Sequence, residues 1–187
     1  GDAGPGGFVQ IAGKRGLPPF SAFGATVDLN GVDIQTSTGD VSISGIGAVG
    51  AGVRIVSGML PSQILTTSGD IQIVGVGTTL TSSFGSTAVQ SVGIDNTLVR
   101  SVDGSIAIRG LVTPGALSDK SGGVLLANNA LVTTLGVGSI DIAGESQANG
   151  TGVTIGAGAR VDGNRNVVLR ASNDGSVDAL VIGGTVR

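Results

Sequence analysis

The chain of 187 residues contains no cysteine, histidine, tryptophan or tyrosine, and its only aromatic residues are four phenylalanines. Without cysteine there are no disulfides or thiolate metal ligands, and without histidine a serine nucleophile lacks its usual base. Only 12% of the residues are charged and the net charge is −3, so the clustered Lys and Arg of a nucleic-acid interface are missing. No apolar run approaches the ~20 residues of a membrane helix. The composition therefore predicts neither nucleic-acid binding nor membrane insertion.

The sequence is rich in glycine, with 35 residues, and 40% of it is hydrophobic and mostly aliphatic. Disordered chains are poor in aliphatic residues and rich in charge, so this composition is not theirs. Glycine inside a helix costs roughly 0.5–1 kcal/mol relative to alanine, which argues against a helical bundle. The glycines do not recur at every third position, as collagen requires. We therefore expect a β-rich chain with frequent glycine turns and one sizeable core.

Two interleaved motifs repeat along the chain with a similar period. The first is Gly-Asp or Gly-Ser followed by alternating aliphatic residues, and it begins at Gly39, Gly69, Gly104 and Gly138. The second is Gly followed by Val or Ile, and it begins at Gly52, Gly93, Gly123 and Gly152. Because two different markers share one average spacing, they indicate a structural repeat of roughly 30 residues with insertions.

Each repeat contains short segments in which aliphatic residues alternate with polar or small ones, as in Val41-Ser42-Ile43. This alternation places the aliphatic side chains on one face of a strand. A β-sandwich would need longer strands joined by hairpins, with large aromatic residues between its sheets. Short strands, few aromatics and a coil-sized period instead predict an all-β fold. We expect a right-handed parallel β-helix (β-solenoid) of about six coils of roughly 30 residues.

The predicted organisation is a first coil with a proline-containing loop over residues 1–30, followed by one continuous solenoid over 31–187. Two stretches, 17–23 and 78–90, are expected to protrude from the coils, the first because its prolines exclude a central strand. Residues 124–135 contain no glycine and leave two interpretations. They form either a short helix or, as Asn128-Asn129 favours, a β-helix corner.

The two ends of the sequence suggest a piece of a longer rod. The first seven residues form a glycine-rich stretch without the features of a signal peptide. Residues 180–187 end the chain on an aliphatic segment without a polar or helical cap. Open strand edges template further pairing, so we expect the ends to associate with further coils or with copies of the same chain.

The repeat resembles a known family of bacterial exoproteins. Gly52-Val53-x-Ile55, then a Ser/Thr-rich turn, then Gly69-Asp70-Ile71 is similar to the repeat regions of filamentous-haemagglutinin-like proteins, which are secreted by the two-partner route. The resemblance covers roughly residues 31–187. That family's secretion domain carries Asn-Pro motifs, and this chain has none, so the resemblance implies a stalk region. It also implies a secreted or cell-surface adhesin, or a stick that carries a toxin.

Carboxylates at repeated positions are the first candidates for a binding site. Asp40 and Asp70 occupy equivalent positions, and stacking of coils would bring them within ~5 Å of each other. Such a pair could bind a cation. The next two repeats, however, carry Ser105 and Ser139 at that position, which favours hydrogen bonding to the turn backbone.

Polysaccharide chemistry is the alternative function, because parallel β-helices include pectin lyases and related enzymes. Such a lyase site combines an Asp cluster with an Arg base, and Asp141 with Arg109 on the preceding coil is the nearest approach to it in this sequence. No cluster surrounds that pair, so we assign no catalytic, cofactor-binding or metal-binding residue. A third interpretation places the receptor site of an adhesin in the insertion 78–90.

The prediction is therefore a non-enzymatic structural segment, secreted or displayed on a bacterial cell surface, that acts as an extended stalk or filament. It would present binding or toxin modules and requires no cofactor. A polysaccharide-binding or polysaccharide-degrading protein is the alternative, and a polysaccharide on a host cell or surface is the candidate receptor.

Overall fold

A computed structural model describes residues 7–14, 25–47, 50–77, 90–112, 122–146, 150–173 and 179–187. Within these ranges the chain forms 18 β-strands and no helix. In chain order the strands are β1 (Val9–Lys14), β2 (Val27–Asn30), β3 (Asp33–Thr36), β4 (Val41–Ile46), β5 (Val53–Val56), β6 (Ser62–Thr66), β7 (Ile71–Gly77), β8 (Gln90–Asp95), β9 (Thr97–Ser101), β10 (Ile106–Val112), β11 (Gly122–Ala127), β12 (Leu131–Thr134), β13 (Ile140–Ser146), β14 (Val153–Ile155), β15 (Arg160–Gly163), β16 (Val167–Asn173), β17 (Leu180–Ile182) and β18 (Thr185–Val186).

The strands form three six-stranded parallel sheets. The first sheet has the order β1-β4-β7-β10-β13-β16, the second β2-β5-β8-β11-β14-β17 and the third β3-β6-β9-β12-β15-β18. Neighbours in every sheet are three strands apart in the chain, so three consecutive strands make one coil and each coil stacks on the preceding one. The predicted all-β fold, a parallel β-solenoid, is confirmed.

The number of closed coils differs slightly from the prediction of about six. The coils from β4 to β15 are covered on both sides by a neighbouring coil, which gives about four closed turns. The coils β1–β3 and β16–β18 pack on one side only, and β17 and β18 contain just three and two residues. A repeat count from the sequence does not separate closed coils from these terminal ones.

The core consists of aliphatic ladders, because the parallel register places each inward residue on its counterpart one coil later. In the first sheet Ile43, Ile73, Ile108 and Ile142 stack and are fully buried. The second sheet contributes Val53, Val92, Val124 and Val153 in the same way. Burial of each such side chain is worth about 1.5–3 kcal/mol, so the ladders are the main stabilising feature of the solenoid.

Stacked glycines bring the first sheet close to the second. Gly45, Gly75, Gly110 and Gly144 occupy one register position in the first sheet. A Cβ on Gly75 would lie 2.1 Å from the carbonyl oxygen of Ser91, and the other three glycines meet the second sheet equally closely. Only a residue without a side chain permits this approach. Glycine therefore ends each Gly-Asp or Gly-Ser motif because a side chain there would clash with the second sheet.

The second sequence motif is misplaced in one repeat. Val53 pairs with Val92 and Arg54 with Gly93, so the counterpart of Gly52-Val53 is Ser91-Val92, and the predicted equivalence with Gly93 is wrong by two residues. A Cβ on Gly93 would meet nothing within 4 Å. This glycine therefore has no role in the close approach of the sheets.

Residues 124–135 form a corner rather than a helix. Strand β11 ends at Ala127 and β12 begins at Leu131, and between them Asn128 has a φ of 52°. Asn96 lies at the same corner of the preceding coil with a φ of 47°. Asparagine tolerates this left-handed conformation better than most residues, so the corner interpretation is confirmed.

The two predicted insertions lie largely outside the described residues. Residues 17–23 belong to the stretch 15–24, which is not described. Residues 78–89 of the second insertion are not described either. Gln90 is the first residue of β8, so the second insertion ends one residue earlier than predicted.

Candidate functional site

The corner between the third sheet and the first carries a hydrogen-bonded ladder of Asp and Ser side chains. Asp40 Oδ1 accepts a hydrogen bond from the backbone N–H of Asp70 at 2.8 Å. Asp70 Oδ1 accepts one from the N–H of Ser105 at 2.7 Å, and the Ser105 hydroxyl accepts one from the N–H of Ser139 at 3.2 Å. Each side chain therefore joins its own coil to the next.

This ladder decides the role of the repeated aspartates. Asp40 and Asp70 hydrogen-bond to the backbone, as predicted, but the backbone belongs to the following coil rather than to their own turn. Within the described ranges no group of three or more His, Cys, Asp or Glu is placed to hold a metal ion. The carboxylates of Asp40 and Asp70 therefore stabilise the stack of coils.

A second ladder of hydroxyl groups lies inside the same corner, where sequence reasoning did not find it. Thr36, Thr66 and Ser101 are stacked and buried. The Thr36 hydroxyl donates to the carbonyl of Gly39 at 2.5 Å, and Thr66 Oγ1 accepts from the N–H of Gly69 at 2.9 Å. A Thr or Ser three residues before the motif glycine was the available signal. Buried polar groups need such partners, so these hydroxyls hold the corner closed.

Ion pairs between neighbouring coils lie on the outer surface. Arg54 pairs with Asp28 at 3.1 Å in the second sheet, and Arg170 pairs with Asp141 at 2.6 Å in the first. Asp141 is thus bound by the arginine of the following coil, not by Arg109 of the preceding coil, with which a lyase-like pair was considered. Exposed pairs of this kind are worth about 0–1 kcal/mol, so they contribute little to the stability of the solenoid.

The last strand is fastened by a three-member charge cluster. The Asp162 carboxylate contacts Arg187 Nε at 2.8 Å and Arg160 Nη2 at 2.9 Å. The hydrogen bond from Arg187, assisted by the two positive charges, holds the pKa of Asp162 below its usual value. The same bond raises the pKa of Arg187. The cluster therefore links β15 to the residue that follows β18.

One corner of the solenoid receives all the long connections, and we call it the insertion corner. It joins the ends of first-sheet strands to the starts of second-sheet strands through residues 15–26, 47–52, 78–89, 113–121, 147–152 and 174–179. At the other two corners, which are fully described, no connection is longer than five residues. Three of the four phenylalanines, Phe20, Phe23 and Phe84, belong to these connections.

The insertion corner is the candidate functional surface. Binding residues in proteins are disproportionately carried by loops that a rigid scaffold positions. Parallel pairing in register positions the strands on both sides of these connections, so neighbouring connections leave the scaffold side by side at ~4.8 Å intervals. Sequence reasoning recognised 17–23 and 78–90 as insertions, but not that the topology brings them to one edge.

Comparisons with known proteins identify no relative. No family model, no curated protein and no solved structure matches the chain. Among the described residues there is no helix that is long and apolar enough to cross a membrane.

Proposed function

We propose that this chain is a structural segment of a secreted or surface-displayed bacterial exoprotein, in which the solenoid is a stalk. The observation that carries the proposal is the ladder from Asp40 to Ser139, which joins four successive coils at one corner. A stack in which each coil contacts only its neighbours extends along one dimension. Such a rod spans distance and keeps its backbone hydrogen bonds protected.

The resemblance of the repeat to filamentous-haemagglutinin-like stalks supports the surface location. The stalk presents adhesive or toxin modules, and the insertion corner is the part of this segment that carries its longest connections. In this proposal the receptor is a polysaccharide or another component of a host cell or surface.

Surface display is tested by labelling intact cells of the source bacterium with an antibody against the 187-residue chain. We expect labelling of unpermeabilised cells, or release of the protein into the medium. The open reading frame around the segment is expected to encode many further repeats of the same type. Labelling only after permeabilisation would contradict the proposal.

Receptor binding is tested separately by replacing residues 77–91, which include the insertion 78–89, with the shorter segment 47–52. Ile46 pairs in register with Val76 and Val53 with Val92, so the grafted segment joins the scaffold in register, and we expect the variant to fold with an unchanged melting temperature and to lose adhesion to host cells. The same replacement of residues 112–123, which lie between the register-equivalent Leu111 and Val124, is the matched control. Full adhesion by the first variant would exclude 78–89 as the receptor site.

Incubation with pectin, alginate and hyaluronan tests the enzymatic alternative. We expect no oligosaccharide to be released from any of the three. Release of products by the purified chain, but not by a heat-denatured sample, would favour the polysaccharide-degrading alternative over the stalk.

A further inference from the structure

The outer face of the third sheet is lined by leucines in the middle coils, where a solvated face would carry polar residues. This sheet lies opposite the insertion corner, which joins the other two sheets. Leu98 and Leu131 pair in register on its outward side, and Arg100 and Leu65 form a second outward pair beside them. All three leucines are half-buried. We call the outward residues Leu65, Leu98, Arg100, Leu131 and Leu135 the third-sheet face.

Arg100 occupies the centre of the third-sheet face without a partner in the described chain. Its Nε is buried and donates no hydrogen bond, and no described carboxylate lies within ion-pair distance of its guanidinium. Arg54 and Arg170, on the other two sheets, each pair with an aspartate of a neighbouring coil. A buried donor without an acceptor is costly, so contacts within the described chain do not account for an arginine at this position.

The turn that follows β12 carries a second buried polar group without a partner. At this corner in the first two coils, the hydroxyl that ends the third-sheet strand bonds to a glycine three residues later. In the fourth coil Gly138 comes four residues after Thr134, and Thr134 Oγ1 is buried without a hydrogen-bond partner. Leu135 and Val137 in this longer turn are 53% and 62% exposed. The turn therefore loses the local hydrogen bond and displays two apolar side chains at the edge of the third sheet.

Exposed apolar side chains are concentrated on this side of the solenoid. Among the described residues from β4 to β15, five large apolar side chains are exposed. Four of them, Met59, Leu60, Leu135 and Val137, lie on the two corners that border the third sheet, and the fifth, Ile46, lies on the first sheet. Clustered apolar surface marks interaction sites, and Met and Arg are enriched in protein–protein interfaces. The composition of this side is therefore that of a docking surface.

We propose that a protein partner docks on the third-sheet face, with a carboxylate on the Arg100 guanidinium and aliphatic side chains on the leucines around it. The positive charge without a counter-charge makes an acidic partner complementary, because the planar Nη donors of arginine bind a carboxylate through two parallel hydrogen bonds. Aliphatic surroundings favour aliphatic side chains, whereas sugar rings stack on aromatic residues, and this face contains none. A protein partner on this side goes beyond the stalk function and does not depend on it.

The dimensions of the face define what it can hold. At ~3.3 Å per residue, Leu131 and Leu135 lie about 13 Å apart along the strand direction, and the three coils from β6 to β12 span about 10 Å. An extended segment of about five residues, with its acidic residue in the middle, covers this area. Stable interfaces bury about 800 Å² on each partner, so we expect a weak and reversible contact.

A phage-displayed library of random peptides, selected on the immobilised chain, is the probe for this surface. We expect the enriched peptides to share an Asp or Glu flanked by Leu, Ile or Val. One enriched peptide is then synthesised, and fluorescence anisotropy gives its dissociation constant. Because a charge-assisted pair is lost, binding should weaken by about tenfold or more for Arg100→Gln. The same loss is expected for the unchanged chain when the acidic residue of the peptide is replaced by its amide, which leaves the solenoid untouched.

Matched controls come from the outer face of the first sheet. Arg109 is exposed and, among the described residues, also has no ion-pair partner, and Leu111 is outward and half-buried like Leu98. We expect Arg109→Gln and Leu111→Thr to bind the peptide as the parent chain does, whereas Leu98→Thr binds it more weakly. Circular dichroism melts establish that all the variants fold.

Three results would overturn the proposal. The first is a selection that enriches no peptides, or only peptides without a shared acidic residue. The second is equal affinity of the parent chain and Arg100→Gln for the selected peptide. The third is binding of oligogalacturonate or a heparin fragment that requires Arg100 and competes with the peptide, since the surface would then belong to a polysaccharide. None of these results bears on surface display, which the labelling of intact cells tests separately.

Discussion

Replacing Gly110 with alanine should destabilise the solenoid at the point where the first and second sheets meet. The added Cβ would lie 2.0 Å from the carbonyl oxygen of Gly123, and ordinary contacts begin near 3.4 Å, so the backbones would have to separate by about 1.4 Å. Overpacking of this kind costs about 1–3 kcal/mol. In a chain of this length each kcal/mol changes the melting temperature by roughly 2–4 °C, so we expect a decrease of roughly 2–12 °C.

Gly93→Ala is the matched control, since this glycine also lies within a strand of the solenoid. Its Cβ would meet nothing within 4 Å, and its φ is not positive. Alanine then restricts the unfolded chain and stabilises the protein by about 0.4–1 kcal/mol. Thermal melts followed by circular dichroism should therefore shift in opposite directions for the two variants. A shift in the same direction, or an unchanged melt for Gly110→Ala, would refute the steric argument.

Three further predictions concern the ladders and the charge cluster. Asp70→Ala should lose about 1 kcal/mol in urea denaturation because the N–H of Ser105 loses its acceptor, whereas Asp70→Ser should lose less; equal losses would contradict the ladder. Asp162 has a pKa below its usual 3.8, so its stabilising effect is complete above that value and disappears as the pH falls through the lowered one. Hydrogen exchange of the last strand should show that its protection decreases over this pH range. In Arg187→Gln this pH dependence should be absent. Ile108→Ala should cost about 2–5 kcal/mol and Ile108→Val about 0.5–1.5, measured by the same denaturation; similar costs would argue against a tightly packed ladder.

The fold was predictable because one motif marks the same structural position in successive coils. The Gly-Asp or Gly-Ser pair precedes the first inward residue of the first sheet each time, so Val41, Ile71, Ile106 and Ile140 are true equivalents. The second motif failed in one repeat because the position that faces Gly75 carries Ser91 instead of glycine. In the other repeats the glycine is required, since a Cβ on Gly52, Gly123 or Gly152 would lie 2.7 Å or less from backbone atoms.

The contacts between coils were less accessible from the sequence. Asp141 has an arginine at an equivalent diagonal position on either side, since Arg109 and Arg170 both pair in register with Ala143. Spacing alone does not choose between the two, and the choice depends on side-chain conformation. The hydrogen bond between Asp40 and the N–H of Asp70 likewise depends on how two corners align along the solenoid axis. Insertions elsewhere in the repeat make this alignment difficult to predict from the sequence.

The single insertion corner limits how the segment can diversify. Neighbouring connections leave the scaffold only ~4.8 Å apart, which is narrower than the ~10 Å diameter of a helix with its side chains. Helical insertions on two adjacent coils would therefore overlap unless they diverge from each other. The connections of this chain range from six residues at 47–52, 147–152 and 174–179 to nine at 113–121 and twelve at 15–26 and 78–89. A foreign peptide that replaces 78–89 would join scaffold positions that already carry twelve residues, whereas one grafted at 47–52 would lengthen a connection of six.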